Sequence, residues 1–334
     1  RLRAAIQGAY MKKVFRFFCT ATSAAAILAT VVSMSACNNH EHVWGDWQHD
    51  ADGHWRVCTE EGCDAEDREA HSGTPCVYCG YGFKALSFGF TEGGDAAHAD
   101  FAREANEWFA AQGEAEGFTY DFAGTDFSKL NDDTLENYDM VIFLNDRPSD
   151  PEQQAAFERF IKGGGAWIGF HSCAFSLVED HDESRGYWSW YQDDFLACGN
   201  YKNNTWNPTS EPLTVETHEH FSTKNLPDVF QSAPCEWYGW EYDLLNDDDV
   251  TVLLTLNPTQ EDPAGDQPDP NKQYEIWYDG KHPIAWTNKN YNMLYTNMGH
   301  NLQSYNDFEK QSETFSSEAQ CRFILDAMFG LVSQ

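Results

Sequence analysis

Two apolar runs without alternation, Tyr138 to Leu144 and Ala166 to Phe170, are separated by a segment that opens at Pro151 and stops at Gly163-Gly164-Gly165. Runs of this kind belong to strands covered on both faces, whereas Phe157, Phe160 and Ile161 between them have helical spacing. Proline suits a first helical turn and glycine a helix end, so the string reads as strand, helix, strand. That unit sets neighbouring strands parallel and excludes an all-β or all-helical chain. The second run ends on His171. Ligands of open α/β sheets bind at the carboxyl ends of the strands, so this imidazole stands where chemistry is expected.

The same pattern extends along residues 84–332. Ala85 to Phe90 reads as a strand, and Ala97 to Gly113 as a helix with Phe101, Ala105, Trp108 and Phe109 on one face. Later strands are expected at Leu213–Glu216, Val250–Leu256, Ile284–Trp286 and Met293–Met298, with a closing helix over Ser317–Phe329. A chain of 334 residues, 41% of them hydrophobic, can bury a sizeable core. Its net charge of −33 excludes a phosphate-backbone partner, which needs clustered Lys and Arg; nucleic acid is not expected.

Residues 1–37 are set apart from the fold. From Met11 come Lys12, Lys13 and Arg16, then a small apolar stretch from Ala24 to Val32, then Met34-Ser35-Ala36-Cys37. That order is an export signal, and the apolar run is shorter than the roughly 20 residues of a spanning helix. Its end resembles a bacterial lipobox, which implies cleavage before Cys37, lipid on its sulfur, and a protein anchored at the cell envelope or secreted. Residues 38–82 form a second unit, with Cys58-x4-Cys63, Cys76-x2-Cys79, and His40, His42, His54 and His71 close by. The two thiol pairs, Cys58, Cys63, Cys76 and Cys79, are read as one structural zinc site, with a pair of disulfides as the alternative. The unit also resembles short zinc-ribbon-like modules ahead of bacterial surface domains.

Polar groups recur after the strands: His98 beyond Glu92-Gly93-Gly94, Arg147 in Asn145-Asp146-Arg147, His220 before Leu226-Pro227, Glu236-Trp237-Tyr238, and Gly299-His300. With Tyr138-Asp139, Gly164-Gly165-x-x-x-Gly169-x-His171 and Pro283-x-x-Trp286, these pieces resemble the ThuA-like family, named for trehalose utilisation. The resemblance covers about residues 84 to 332 and implies a flavodoxin-like α/β fold, a mostly parallel sheet related to class I glutamine amidotransferases. Those relatives carry a cysteine nucleophile where this chain has His171, so glutaminase chemistry is disfavoured, and Cys173 is read as a small buried thiol. Where the family often shows a histidine after Gly-x-Phe, this chain has Gly199-Asn200-Tyr201-Lys202-Asn203-Asn204.

The resemblance implies carbohydrate metabolism, in particular of oxidised or keto-sugars. Imidazole titrates near neutrality and a carboxylate beside it fixes its tautomer, so His98, His171, His220, His300 and Glu236 are the candidates for acid-base catalysis. Arg147, Asn204, Trp237 and Tyr238 are the candidates for sugar contacts, and Trp188, Trp190, Trp206 and Trp240 are further possible platforms. A metal held by His and Glu at the sheet edge is a second mechanistic option. A non-catalytic carbohydrate-binding surface lipoprotein is the competing class.

Overall fold

The computed structural model describes residues 40–204, 208–256, 281–301 and 313–334. The expected leader with Cys37, and Trp206, lie outside the described residues. Among those described, no helix is long and apolar enough to cross a membrane.

Residues 40–82 carry a three-stranded antiparallel sheet of β1 (Gln48–Asp50), β2 (Gly53–Val57) and β3 (Glu66–Glu69), with β2 in the middle. Strands this short bury little apolar surface, so a unit of this size needs a further staple. It rests against the larger part of the chain. The Gly82 N–H donates to Gly117 O at 2.7 Å, and the His49 ring lies 4.5 Å from that of Phe329.

The larger part begins with β4 (Lys84–Phe88), α1 (Ala96–Glu116), β5 (Thr119–Phe122), α2 (Asp132–Leu135), β6 (Met140–Phe143), α3 (Pro151–Lys162) and β7 (Ala166–Phe170). It continues with β8 (Tyr201–Asn204), β9 (Pro212–Val215), β10 (Val229–Gln231), β11 (Tyr238–Trp240), β12 (Val250–Leu256), β13 (His282–Asn288), β14 (Met293–Thr296) and α4 (Glu318–Val332). Among the described residues, nine strands form one sheet in the order β10-β9-β12-β13-β14-β7-β6-β4-β5. The segment from β14 to β5 is parallel, and the arm from β13 to β10 is antiparallel. β8 and β11 pair as a separate ribbon. The α/β fold expected from the strand–helix–strand reading is present.

Both faces of the parallel segment are covered, which is why its strands show no alternation. Met140, Ile142, Ile168 and Phe170 pack with Phe101 and Phe109 of α1 and Phe323 and Met328 of α4. On the other face, Val141, Phe143 and Trp167 pack with Phe157 of α3 and with Tyr191 and Phe195. Each such side chain contributes about 1.5–3 kcal/mol by leaving water. Asp150 caps α3 by accepting from Glu152 N and Gln153 N, and Pro151 occupies its first turn. Gly164, at φ +96°, turns the chain back, and a Cβ on Gly165 would fall 2.4 Å from the Phe160 ring.

The tryptophans depart from expectation. Trp188, Trp190, Trp237 and Trp240 are 7%, 9%, 0% and 7% exposed, so they fill the core and offer no open face to a sugar. A sheet this wide needs large cover, and aromatic side chains bury the most area per residue. Cys173, Cys198, Cys235 and Cys321 are free thiols.

Candidate active site

Register decides where the site lies. Phe88 pairs with Phe143, Phe143 with Gly169, and Thr296 with Phe170, so β4, β6, β7 and β14 all end at one edge. The residues just beyond those ends are therefore neighbours. Asn145 ties two of these loops together: its Nδ2 donates to Phe90 O and His98 O, each at 2.9 Å. Asp95 caps α1 by accepting from Ala97 N at 2.8 Å and His98 N at 3.3 Å, which points His98 along the same edge.

His171 sits on a strained turn, with φ +43°. Such a backbone persists only where its surroundings hold it. The Tyr295 hydroxyl donates to His171 O at 2.8 Å, and at Gly299 a Cβ would stand 3.1 Å from the Cβ of His171. The imidazole is fixed by Asn297: Nδ1 lies 2.8 Å from Asn297 O and 3.2 Å from Asn297 Oδ1. A backbone carbonyl only accepts, so Nδ1 carries the proton and Nε2 keeps its lone pair. Asn297 also holds Tyr238, accepting from its N–H and donating to its carbonyl, both at 3.2 Å.

Three imidazoles and a carboxyl then meet. The His98 ring is 5.0 Å from those of His171 and His300, and the last two are 5.5 Å apart. Glu236 Oε2 lies 3.9 Å from His171 Nε2 and 3.7 Å from His300 Nε2. The other carboxylate oxygen accepts from Asn204 Nδ2, and the Tyr238 hydroxyl is also bonded to this group. The Tyr238 ring lies against His171, with centroids 4.0 Å apart.

Those separations suit ion pairs, yet burial keeps the partners neutral. Burial, then the neighbouring His98 and His300, hold His171 well below the ordinary histidine range. Burial lowers His98 as well, and takes His300 down to about 3. Glu236 is pushed up to about 8, mainly by burial and also by Asp95, against the pull of Asn204 and Tyr238. At neutral pH the cluster is three uncharged imidazoles, each with one nitrogen lone pair free to accept a proton, and one carboxylic acid that keeps its proton. Among the described residues, His98 Nε2, His171 Nε2 and His300 Nδ1 have no hydrogen-bond partner. Solvent reaches the cluster through the edges of His300 and Glu236, whose side chains are 10% and 15% exposed. Donor atoms of His98, His171 and Glu236 lie within 4.8 Å of one another, as do those of Asp95, His98 and His300, close enough to share a cation.

The remaining candidates go elsewhere. His220 is not in the cluster: its Nδ1 lies 2.7 Å from Ser222 Oγ and its ring rests on Phe221. Arg147 donates to Cys173 O at 2.9 Å, bracing the turn after His171. Trp237 is enclosed, and Asn204 and Tyr238 contact Glu236. Cys173 is buried and its thiol pushed up to about 12, which leaves no thiolate for nucleophilic attack. Asn297 and Asp95 were not singled out in the sequence. Their only signals were position: Asn297 lay inside the expected strand Met293–Met298, which ends instead at Thr296, and Asp95 lay ahead of a helix.

A family model described as ThuA, trehalose utilisation, matches residues 87–314. A putative ThuA-like protein from Bacteroides uniformis is 33% identical, with 75% of this chain and 92% of that one aligned at a TM-score of 0.62. A second from Parabacteroides merdae, 15% identical, aligns over 75% of this chain and 90% of its own at a TM-score of 0.51. Among curated proteins, none matches the sequence. With the matched region spanning more than half its length and holding the whole His98–His171–Glu236–His300 cluster, this chain belongs to the ThuA family.

Proposed function

We propose that the protein is an enzyme acting on a sugar or keto-sugar by proton transfer, with His171 as base and Glu236 as acid. One observation carries this reading: a neutral imidazole and a protonated carboxyl face each other across 3.9 Å at the strand ends. A carbonyl-bearing sugar lying alongside both groups would lose the proton on the carbon beside its carbonyl to His171 Nε2. That C–H electron pair becomes the new C=C bond, and the carbonyl oxygen takes the proton of Glu236. An enol is left, together with an imidazolium and a carboxylate that attract one another, so charge develops as a pair inside a low-dielectric site. Return of the protons to other positions completes an isomerisation, and loss of a neighbouring substituent completes an elimination. His98 and His300 border the same space. The family's description as trehalose utilisation supports a carbohydrate as substrate, and the proton-transfer chemistry is what calls for a carbonyl on it.

The test is a panel of disaccharides and keto-sugars in deuterated water, followed by NMR for exchange beside the carbonyl. Exchange that is lost in His171→Ala while binding persists supports the enzyme. Binding without exchange in the unaltered protein would leave a carbohydrate-binding protein instead. Activity surviving exhaustive dialysis against EDTA supports proton transfer by side chains alone, whereas loss restored by one divalent cation would move the chemistry to a metal.

Two further readings concern the rest of the chain. Groups of Cys and His in residues 40–82 could hold a metal ion, and zinc is the ion that fits soft thiolate with imidazole in a closed structural site. The basic, apolar and Ser-Ala-Cys37 order of residues 11–37 supports export and lipid anchoring at the envelope. Metabolic labelling with a fatty acid, lost in Cys37→Ser, tests the anchor.

A further inference from the structure

We infer that the N-terminal module binds two zinc ions, each by two cysteines and two histidines, in place of the single four-thiol site expected from the cysteine spacing; this rests on the zinc reading above. His40, His42, Cys58 and Cys63 form one set, and His54, His71, Cys76 and Cys79 the other. Within each set the donor atoms all lie within 4.8 Å of one another.

The distances are those a tetrahedral ion imposes. Zinc bonds of about 2.3 Å to sulfur and about 2.0–2.1 Å to nitrogen place S and N about 3.6 Å apart at tetrahedral angles. In the first set Cys58 Sγ is 3.7 Å from His40 Nε2, and Cys63 Sγ is 3.4 Å from His42 Nδ1. In the second, Cys76 Sγ is 3.6 Å from His54 Nδ1, and Cys79 Sγ is 3.5 Å from His71 Nδ1. Among the described residues, none of the four sulfurs is joined in a disulfide.

The surroundings orient the ligands. His71 Nε2 lies 2.7 Å from Asp50 O, so that nitrogen is the donor and the Nδ1 lone pair faces the sulfurs. The Tyr81 ring stacks on His71 at 4.2 Å, and the Trp47 ring meets His54 at 4.6 Å, shielding the second set. Two thiolates and two neutral imidazoles balance each divalent charge.

The sets interleave along the chain. β2 carries His54 of the second set at its second position and leads into Cys58 of the first, so one strand serves both sets. The second set also adjoins the seam with the larger part. Gly80 follows Cys79, and a Cβ there would stand 2.8 Å from the Val332 side chain of α4.

The experiment is metal analysis of the full chain, purified with a reductant, combined with zinc X-ray absorption. Two zinc ions per chain with equal sulfur and nitrogen ligation is the expected result, with one ion lost in His42→Ala and one in His71→Ala. Should either variant fail to fold, cobalt titration of the unaltered protein supplies the stoichiometry without it. One ion per chain with sulfur ligation alone would overturn the two-site inference and leave the zinc reading standing. No zinc, with two disulfides by intact mass in a parallel preparation made without reductant, would overturn both.

Discussion

His171 Nε2 faces Glu236 Oε2 across 3.9 Å, while His171 Nδ1 is committed to the carbonyl of Asn297. The two groups can exchange protons with a substrate lying alongside both because neither is charged beforehand. Burial sets that condition for both.

Activity should fall on the alkaline side. Glu236 is held up to about 8, so its proton is present below that pH and is lost above it. The profile of kcat/KM on a responsive keto-sugar is expected to decline with an apparent pKa near 8. Glu236→Gln should remove that limb along with most of the rate. No acid limb at the ordinary histidine range is expected from His171 or His300, because burial holds both well below it. A limb unchanged in Glu236→Gln would assign it to another group.

Asn297 acts as a positioning residue. Asn297→Ala keeps the backbone carbonyl that receives His171 Nδ1 and removes both side-chain bonds to Tyr238. kcat is expected to drop about tenfold to a hundredfold with KM little altered, since small displacements of a catalytic ring are costly. The buried Tyr238 N–H left without a partner should also cost about 1–3 kcal/mol of stability. Steady-state kinetics beside urea unfolding separates the two effects.

Phe157 is fully buried, and its ring lies 4.8–6.5 Å from those of Phe143, Trp167, Trp188, Trp190, Tyr191 and Phe195. Phe157→Ala should destabilise the protein by about 3–5 kcal/mol through lost burial and the cavity left behind. Equilibrium urea denaturation measures this. A change under about 1 kcal/mol would mean that the aromatic layer collapses to fill the space.

Stripping metal should act on one part of the chain. With chelator, amide exchange in residues 40–82 is expected to rise sharply, because short strands with little core depend on the staple. β6 and β7, buried on both faces, should stay protected. Exchange followed by mass spectrometry reads both regions at once. Equal loss of protection in the sheet would show that the module carries the stability of the whole.

Much of the fold was legible along the chain. β7 lies at Ala166–Phe170, β12 at Val250–Leu256, and α3 opens at Pro151, all as read from apolar runs and turn residues. Local signals suffice for such elements, since proline, glycine and unbroken apolar runs act through neighbours in sequence. Short edge strands were not visible. β5 has four residues and β10 three, too few for a pattern to stand out, so the sheet makes them strands.

By itself the sequence determined the α/β class and the positions of His171 and His300 after apolar runs, because both depend on the order of residues. Tertiary structure alone decided which polar groups share a space. Pairing of β14 with β7 brings Asn297 to His171 across 126 residues, while His220 turns to Ser222 and Trp237 into the core. The same holds for the thiols, which sequence spacing gathered into one four-sulfur site and the folded module divides, pair by pair, between two sets of histidines. Ligand sets and proton relays are properties of distance in space, and spacing along a chain records that distance only when the residues share one turn or one strand.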